Sequence, residues 1–113
     1  MNRIGIFGGT FNPIHVGHLA IAQMAQEQMR LDRVFFVPSN TPPHKKGQYI
    51  IPARHRYNMV RLAVQGNPAF KISDVEIKRP KKSYTIDTVR FFRKKFSPKI
   101  KLFLLWGLTR CRI

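Results

Sequence analysis

Acidic residues are scarce in this chain of 113 residues: five Asp and Glu face 21 Lys and Arg, which gives a formal net charge of +16 at pH 7. Cys111 is the lone cysteine, so an internal disulfide is excluded and a reducing, cytoplasmic setting is expected. No apolar run approaches the roughly 20 residues of a membrane-spanning helix. The N-terminal segment that precedes Gly8 and Gly9 is too short for a signal peptide. We therefore expect a soluble chain with no membrane partner.

The basic residues are concentrated in the C-terminal half. Ten Lys or Arg lie between Lys78 and Lys101, a stretch of 24 residues in which aromatic rings are interleaved. This pattern is typical of a small nucleic-acid-binding protein, the main alternative from another functional class. Phe92 and Phe96 follow helical spacing, however, which predicts that they belong to a core. Nucleic acid is therefore not the expected partner, and steep salt-dependent binding to random-sequence DNA would favour the alternative.

Short apolar runs alternate with helical patterns along the chain. We predict strands at residues 3–7, 34–37, 70–72 and 100–105, and helices at 16–29, at 52–65 and from Thr85 to just before Pro98. Residues 38–51 are rich in proline and are predicted to form a loop. Strands that alternate with helices favour a parallel sheet covered on both faces. The predicted fold class is therefore α/β, with a doubly wound parallel sheet.

Two finer expectations concern packing and strand length. The apolar stripe of the first helix is assigned to two adjacent rows, one of Ala20, Met24 and the stem of Gln28 and one of Ile21, Ala25 and Met29. The strand at 70–72 is expected to resume at Val75 and Ile77, after a break near Asp74.

Residues 8–18 carry the sharpest chemical signal, because they read Gly-Gly-Thr-Phe-Asn-Pro-Ile-His-Val-Gly-His between the first strand and the first helix. Glycines at the carboxyl end of a strand let the backbone approach an anion, and the following helix adds free N–H groups and the positive end of its dipole. His15 and His18 share one face of a first helical turn, where imidazoles can donate hydrogen bonds to phosphate oxygens. A phosphate-binding site is thus predicted.

Simpler explanations exist for the same residues. Gly8 and Gly9 could form an ordinary turn, and the two histidines could be neighbours by coincidence. A zinc pair is disfavoured because helical metal pairs usually lie four residues apart and no third ligand cluster is evident. The dinucleotide fingerprint G-x-G-x-x-G is absent. Because strand, glycines, histidines and helix occur together, phosphate handling remains the prediction.

The string His15-Val16-Gly17-His18 resembles the H-x-G-H signature of the nucleotidyltransferase superfamily. The run from Gly8 to His15, the segment 37–45 (Val-Pro-Ser-Asn-Thr-Pro-Pro-His-Lys) and the segment 83–88 (Ser-Tyr-Thr-Ile-Asp-Thr) look most like its nicotinate-nucleotide adenylyltransferase family. The resemblance implies the N-terminal portion of a Rossmann-like domain. It also implies adenylyl transfer from ATP to nicotinate mononucleotide, which gives deamido-NAD and pyrophosphate. Pantetheine-phosphate and nicotinamide-mononucleotide enzymes are the alternatives within the superfamily.

The resemblance also implies roles for individual residues. His15 and His18 would be catalytic, and ATP would be bound by Gly8, Gly9, Thr10, Phe11, His15 and His18. The acceptor nucleotide would be bound by Asn40, His44, Lys45, Tyr84 and Thr85. Mg²⁺ is expected on the ATP phosphates, but no carboxylate stands out as a ligand, so no residue is assigned to a metal. The expected partners are therefore small nucleotides.

The acceptor residues also have simpler explanations. His44 and Lys45 could belong to a solvated basic loop. Thr85 could serve as a helix N-cap and Tyr84 as a packing residue, with no ligand involved.

The resemblance covers residues 1 to about 105. We therefore predict a nucleotidyltransferase part at 1–105 and an aberrant tail at 106–113, as a reading-frame shift near residue 104 would produce. An exposed sheet edge and an uncovered apolar face are then expected around Phe103, Leu104 and Leu105. On this expectation the chain alone is marginally folded and weak as an enzyme, and an inactive truncated homologue is a further alternative.

Overall fold

Strands and helices alternate along the chain as the sequence predicts. The computed structural model describes residues 2–40, 49–79, 85–106 and 109–112, the last four through their backbone. In chain order the elements are β1 (Arg3–Gly9), α1 (Val16–Gln28), β2 (Arg33–Pro38), α2 (Ala53–Ala63), a 3₁₀ turn (Val64–Gly66), β3 (Phe70–Ile72), α3 (Thr85–Lys95), β4 (Lys101–Trp106) and β5 (Thr109–Arg112). None of the helices in the described ranges has the length and apolar character needed to cross a membrane.

The strands form one sheet in the order β3-β2-β1-β4-β5. β1 to β4 run parallel to one another, whereas β5 is antiparallel to β4. β1 is central, with Gly9 opposite Pro38 of β2 and Phe7 opposite Leu105 of β4. This topology confirms the predicted α/β fold with its Rossmann-like, doubly wound parallel sheet. The carboxyl ends of β1, β2 and β4 meet at one edge of the sheet, where ligands bind in this architecture.

Helices cover both faces of the sheet, so the core consists of two layers. On the side of α1 and α2, the rings of Phe7 and Phe36 centre the first layer. On the side of α3, Phe92 packs against Ile6 and other β-strand residues in the second layer. Side chains alternate between the two faces of a strand, so the neighbours Ile6 and Phe7 of β1 serve different layers. The central strand therefore holds the two layers together.

The prediction of an exposed sheet edge at β4 is wrong. β5 pairs with β4 along its free side. Phe103 and Leu105 are 6% and 1% exposed, and Leu104 is half-buried. The guanidinium of Arg3 lies 4.6 Å from the centroid of the Phe103 ring and covers part of it. β4 runs to Trp106, one residue past the predicted boundary at 105, while the division into 1–105 and 106–113 stays a prediction.

One of the two predicted apolar rows of α1 is wrong. The helix contacts the core through Ala22 and Ala25, which are both fully buried. Met24 is 48% exposed, so the row that contains it faces solvent, while Ile21 and Met29 of the other row pack against the core. Small side chains at the contact let the helix backbone come close to the sheet, and the larger ones then lie beside it.

The expected resumption of a strand at Val75 and Ile77 is also wrong, because residues 75–78 form a turn. The N–H of Lys78 donates to the carbonyl of Asp74 at 3.0 Å. The hydroxyl of Ser73 accepts from the N–H of Val75 at 3.3 Å. These local bonds satisfy backbone groups that a strand would have directed to a neighbour.

Candidate functional site

The glycine turn after β1 is held by an aromatic ring. Phe11 has a φ of +49°, in the left-handed region, and its side chain is only 3% exposed. Its ring lies 5.4 Å from that of Phe7 and 5.0 Å from that of His18, measured between centroids. A Cβ on Gly9 would approach the Phe11 ring to 3.4 Å, so the turn closes tightly over the ring. The backbone of residues 8–10 is thereby fixed at the edge of the sheet.

Asn12 connects this turn to the segment that precedes α2. Its Nδ2 donates to the carbonyl of Tyr49 at 2.8 Å, and its Oδ1 accepts from the N–H of Ile51 at 2.8 Å. The peptide bond from Asn12 to Pro13 is cis. An asparagine can make both bonds because its amide offers a donor and an acceptor. The sequence prediction assigned no role to Asn12.

His15 and His18 cap the N-terminus of α1 reciprocally. The Nδ1 of His15 accepts from the N–H of Gly17 at 3.0 Å, and the Nδ1 of His18 accepts from the N–H of His15 at 3.0 Å. The two ring centroids are 3.9 Å apart, with an angle of 33° between the rings. The structure therefore brings the two predicted catalytic residues side by side at the helix N-terminus.

The caps determine which ring nitrogens are left to bind a ligand. An Nδ1 that accepts a backbone hydrogen bond carries no proton, so in the neutral ring the proton resides on Nε2. Partial burial and, to a lesser extent, the neighbouring His15 lower the pKa of His18 below its usual range, which favours its neutral form. The pair thus presents two Nε2–H donors beside each other at the positive end of a helix dipole.

The glycine between the two histidines is required by this arrangement. A Cβ on Gly17 would lie 2.8 Å from the Cε1 and 2.9 Å from the Nδ1 of His15. Such distances are shorter than van der Waals contact, so any larger residue would displace the ring. The glycine of the pattern His-x-Gly-His therefore allows the first imidazole to lie close to the helix backbone.

A cavity of about 250 Å³ opens next to the histidines. It is lined by residues of the glycine turn, its anchoring rings and β4, namely Phe7, Gly8, Gly9, Thr10, Phe11, His18 and Trp106. All the predicted ATP-binding residues except His15 lie on its wall, and the ring of His15 is beside that of His18, at 3.9 Å between centroids. Trp106 was not predicted as a site residue. Its only sequence signal is its position at the end of a strand, and the strand order then brings it next to β1.

The predicted acceptor residues are only partly within the described structure. Asn40 follows β2, and its Nδ2 donates to the carbonyl of Arg79 at 2.8 Å. Thr85 is the exposed first residue of α3, whose N-terminus lies at the same edge of the sheet as that of α1. Neither residue lines the cavity. His44, Lys45 and Tyr84 lie outside the described residues, so their roles stay predictions.

Among the described residues, no group of three or more His, Cys, Asp or Glu could hold a metal ion. The cavity wall likewise contains imidazole, aromatic rings and backbone rather than carboxylates. A hard divalent cation prefers oxygen ligands. The described residues of this site therefore suit an anion better than a resident metal.

Two aromatic rings, that of Phe92 in α3 and that of Phe96 just after it, are used in packing. Phe92 is fully buried in the second core layer, and Phe96 is half-buried against it. The ammonium of Lys95 lies 5.5 Å from the centroid of the Phe35 ring, also in that layer. Stacking on nucleic-acid bases needs exposed rings, so these two phenylalanines give little support to the nucleic-acid alternative.

Comparison with known proteins gives a consistent result. The sequence model of the family described as cytidylyltransferase-like matches residues 6–107. Curated relatives that carry the name "Probable nicotinate-nucleotide adenylyltransferase" include proteins of Thermomicrobium roseum, 49% identical over 93% of this chain, and of Symbiobacterium thermophilum, 56% identical over 80%. The alignments cover 49% and 43% of those relatives, so the chain spans about half the length of the curated relatives it matches.

The fold is found among solved structures as well. A structure of Plasmodium falciparum nicotinic acid mononucleotide adenylyltransferase complexed with NaAD matches with a TM-score of 0.73 at 16% identity. The match covers 92% of this chain and 51% of that one. At this low identity the likeness concerns the fold.

Proposed function

Since the chain belongs to the cytidylyltransferase-like family, we propose that it serves adenylyl transfer from ATP to nicotinate mononucleotide, which yields deamido-NAD and pyrophosphate. One observation carries the proposal: two Nε2–H donors and a glycine turn converge at the N-terminus of α1. Phosphate groups are the ligands that such an arrangement recognises. The curated relatives bear the name of this activity.

The reaction is a direct displacement at phosphorus. A phosphate oxygen of the mononucleotide forms a bond to the α-phosphorus of ATP, the bond from that phosphorus to the bridging oxygen breaks, and pyrophosphate leaves with the electron pair. Such transfers depend on positioning and charge stabilisation more than on a covalent nucleophile. In our proposal His15 and His18 donate to the phosphoryl oxygens, where negative charge increases in the transition state.

The remaining roles in the proposal follow the resemblance of the sequence to the adenylyltransferases. Gly8, Gly9, Thr10 and Phe11 would place their backbone against ATP. In our proposal Asn40, His44, Lys45, Tyr84 and Thr85 bind the mononucleotide. Mg²⁺ would arrive on the ATP phosphates as part of the substrate, since the cavity wall offers it no carboxylate. We place the protein in the cytoplasm, with small nucleotides as its partners.

The test begins with nucleotide binding. Trp106 is the single tryptophan of the chain and lines the cavity, so its fluorescence should change when ATP binds. Turnover is then measured as pyrophosphate release in the presence of ATP, Mg²⁺ and nicotinate mononucleotide. The same assay with nicotinamide mononucleotide and phosphopantetheine separates this proposal from the other activities of the superfamily.

The role of the histidine pair in nucleotide binding is tested with the variant His15→Asn. Asparagine is a good N-cap, so α1 should remain folded while the Nε2–H donor is lost. We expect ATP affinity to fall by about tenfold, the effect of one charge-assisted hydrogen bond. Unchanged affinity in this variant, or absence of any nucleotide binding by the unmodified chain, would refute the proposal.

A further inference from the structure

Arg56 of α2 is a charged side chain in the interior. It is 1% exposed, and within the described ranges all its hydrogen bonds go to backbone carbonyls. Its Nε donates to Ile51 at 2.6 Å, its Nη1 to Thr10 at 2.9 Å and to Ser39 at 2.6 Å, and its Nη2 to Asn40 at 3.1 Å. One guanidinium thus joins the turn after β1, the loop after β2 and the segment before α2.

Among the residues that the structure describes, no carboxylate forms an ion pair with this cation. In the described parts of the chain the only ion pair joins Lys78 to Asp74. Burial lowers the pKa of the Arg56 guanidinium, because desolvation disfavours its charged form. Burying a charge in this way is costly unless all its hydrogen bonds are made. An apolar residue at this position would serve packing at lower cost, so the observed contacts point to another role.

The three segments that Arg56 joins are linked by further bonds. The N–H of Ser39 donates to the carbonyl of Gly9 at 2.9 Å. The side chain of Asn12 binds both Tyr49 and Ile51. Arg56 contacts the same segments from the interior, and its planar fork directs its donors in fixed directions. Arg56 therefore adds an interior link between the glycine turn and the loop after β2, beside the strand pairing and the bond from Ser39 to Gly9.

We propose that Arg56 is a positioning residue that sets the spacing of the turn after β1 and the loop after β2, so that both can contact one nucleotide. The nucleotide part of this inference rests on the proposed function, whereas the spacing part concerns the folded chain alone. Arg56 itself touches no substrate in this proposal. It acts through Thr10 on one side and through Ser39 and Asn40 on the other.

The spacing role is tested without any ligand. Amide hydrogen exchange is compared among the unmodified chain, Arg56→Gln and Arg54→Gln, which makes the same charge change at an exposed position of the same helix. In Arg56→Gln we expect the Ser39 amide to exchange about tenfold faster relative to the amides of β4. Arg54→Gln should leave this ratio unchanged. Equal acceleration of Ser39 and β4 would indicate general destabilisation and would overturn the proposal.

Two further measurements keep the inference testable if Arg56→Gln fails to fold. In the unmodified chain, the Nε proton of Arg56 should exchange with solvent much more slowly than that of Arg54, and fast exchange would overturn the proposal. Arg56→Lys retains the charge but cannot reach four carbonyls in different directions. It should therefore also raise the exchange rate of the Ser39 amide relative to the amides of β4. An unchanged ratio of these rates would count against the proposal.

The consequence for binding is measured with a non-hydrolysable ATP analogue. Both Arg56 variants should bind it about tenfold more weakly than the Arg54→Gln control. Equal affinity in folded Arg56 variants would contradict the positioning role. If the unmodified chain binds no analogue while the Ser39 result holds, the proposed function fails and the spacing role of Arg56 stands.

Discussion

At the scale of single residues, the two histidines are oriented by backbone N–H groups. The Nδ1 of His15 accepts from Gly17 in the first turn of α1 and the Nδ1 of His18 accepts from the N-cap residue His15, so each ring is fixed both in direction and in tautomer. Loss of either bond would let the ring rotate and would leave an unsatisfied N–H at the helix terminus. The two side chains that cap the helix are therefore the same two that we propose as donors to a phosphate.

The first prediction concerns the glycine of the histidine motif. Gly17→Ala should displace the ring of His15, because the new Cβ would lie 2.8 Å from its Cε1. We expect weaker ATP binding, by about tenfold, as one oriented donor is lost. Gly66→Ala is the matched control, since nothing lies within 4 Å of its Cβ. Fluorescence titration through Trp106 measures both variants, and equal affinities would contradict the explanation of this glycine.

The second prediction concerns protonation of His18. Its pKa in the folded chain lies below the ordinary value of 6.5, so the unfolded chain takes up a proton first as pH falls. The stability contributed by the neutral ring is therefore complete above pH 6.5 and is lost as pH falls through the lowered pKa. Denaturant unfolding is measured for the chain and for His18→Asn at pH 7.5 and at pH 5, buffers that lie about one unit or more on either side of the ordinary pKa. The free energy of unfolding should decrease less for the variant between these two pH values.

The two causes of this shift can be separated. In His15→Gln the pKa of His18 should rise, because repulsion from His15 is gone, but it should stay below 6.5, because burial is the larger cause. An NMR titration of the His18 ring measures this directly. A pKa that returned fully to its ordinary value would show that burial is not the dominant cause.

At the scale of elements, the sequence located every strand from β1 to β4 and every helix, because apolar runs and proline or glycine stops are local signals. It misjudged the buried side of α1, because the contact is made by Ala22 and Ala25 rather than by the larger Met24. It also expected a strand to resume at Val75 and Ile77 after a break near Asp74, since it could not show that Ser73 would close a turn there. Packing against the core decided the first outcome, whereas local hydrogen bonds decided the second.

The third prediction tests the layer beneath α3. Phe92→Ala should destabilise the chain by about 3–5 kcal/mol, because a fully buried ring at the centre of the layer is removed. Phe91→Ala is the matched control on the adjacent residue, which is 39% exposed, and should cost about 1 kcal/mol. Urea unfolding measures the two differences. Similar losses in both variants would contradict the assignment of Phe92 to the core.

At the scale of the whole molecule, the candidate site combines near and distant parts of the chain. Residues 8–18 are contiguous, so their joint pattern is visible in the amino-acid sequence itself. Trp106 and Arg56 reach the site through strand order and burial. In the amino-acid sequence, Arg56 resembles an ordinary surface charge of an amphipathic helix. Only the folded structure, in which it is buried, reveals its contacts. The net charge of +16 pointed to a polyanionic partner, whereas the ligand that we propose for the described cavity is a small nucleotide.

The fourth prediction follows from the central position of β1. Because β1 contributes Phe7 to one core layer and Ile6 to the other, neither layer can open alone. Unfolding should therefore be a single cooperative transition. Far-ultraviolet circular dichroism and Trp106 fluorescence, recorded over the same denaturant series, should give the same midpoint. Two separate midpoints would show that the layers unfold independently.

The borders of the sheet have a consequence for behaviour in concentrated solution. Within the described chain, the sheet ends at β3, which has three residues, and at β5, which has four. A neighbouring copy that tried to add a strand would find few unpaired backbone groups, and the exposed Lys71 would place a charge beside the new strand. Aggregation by strand addition is therefore disfavoured, because the sheet offers no long template along which a second molecule could propagate.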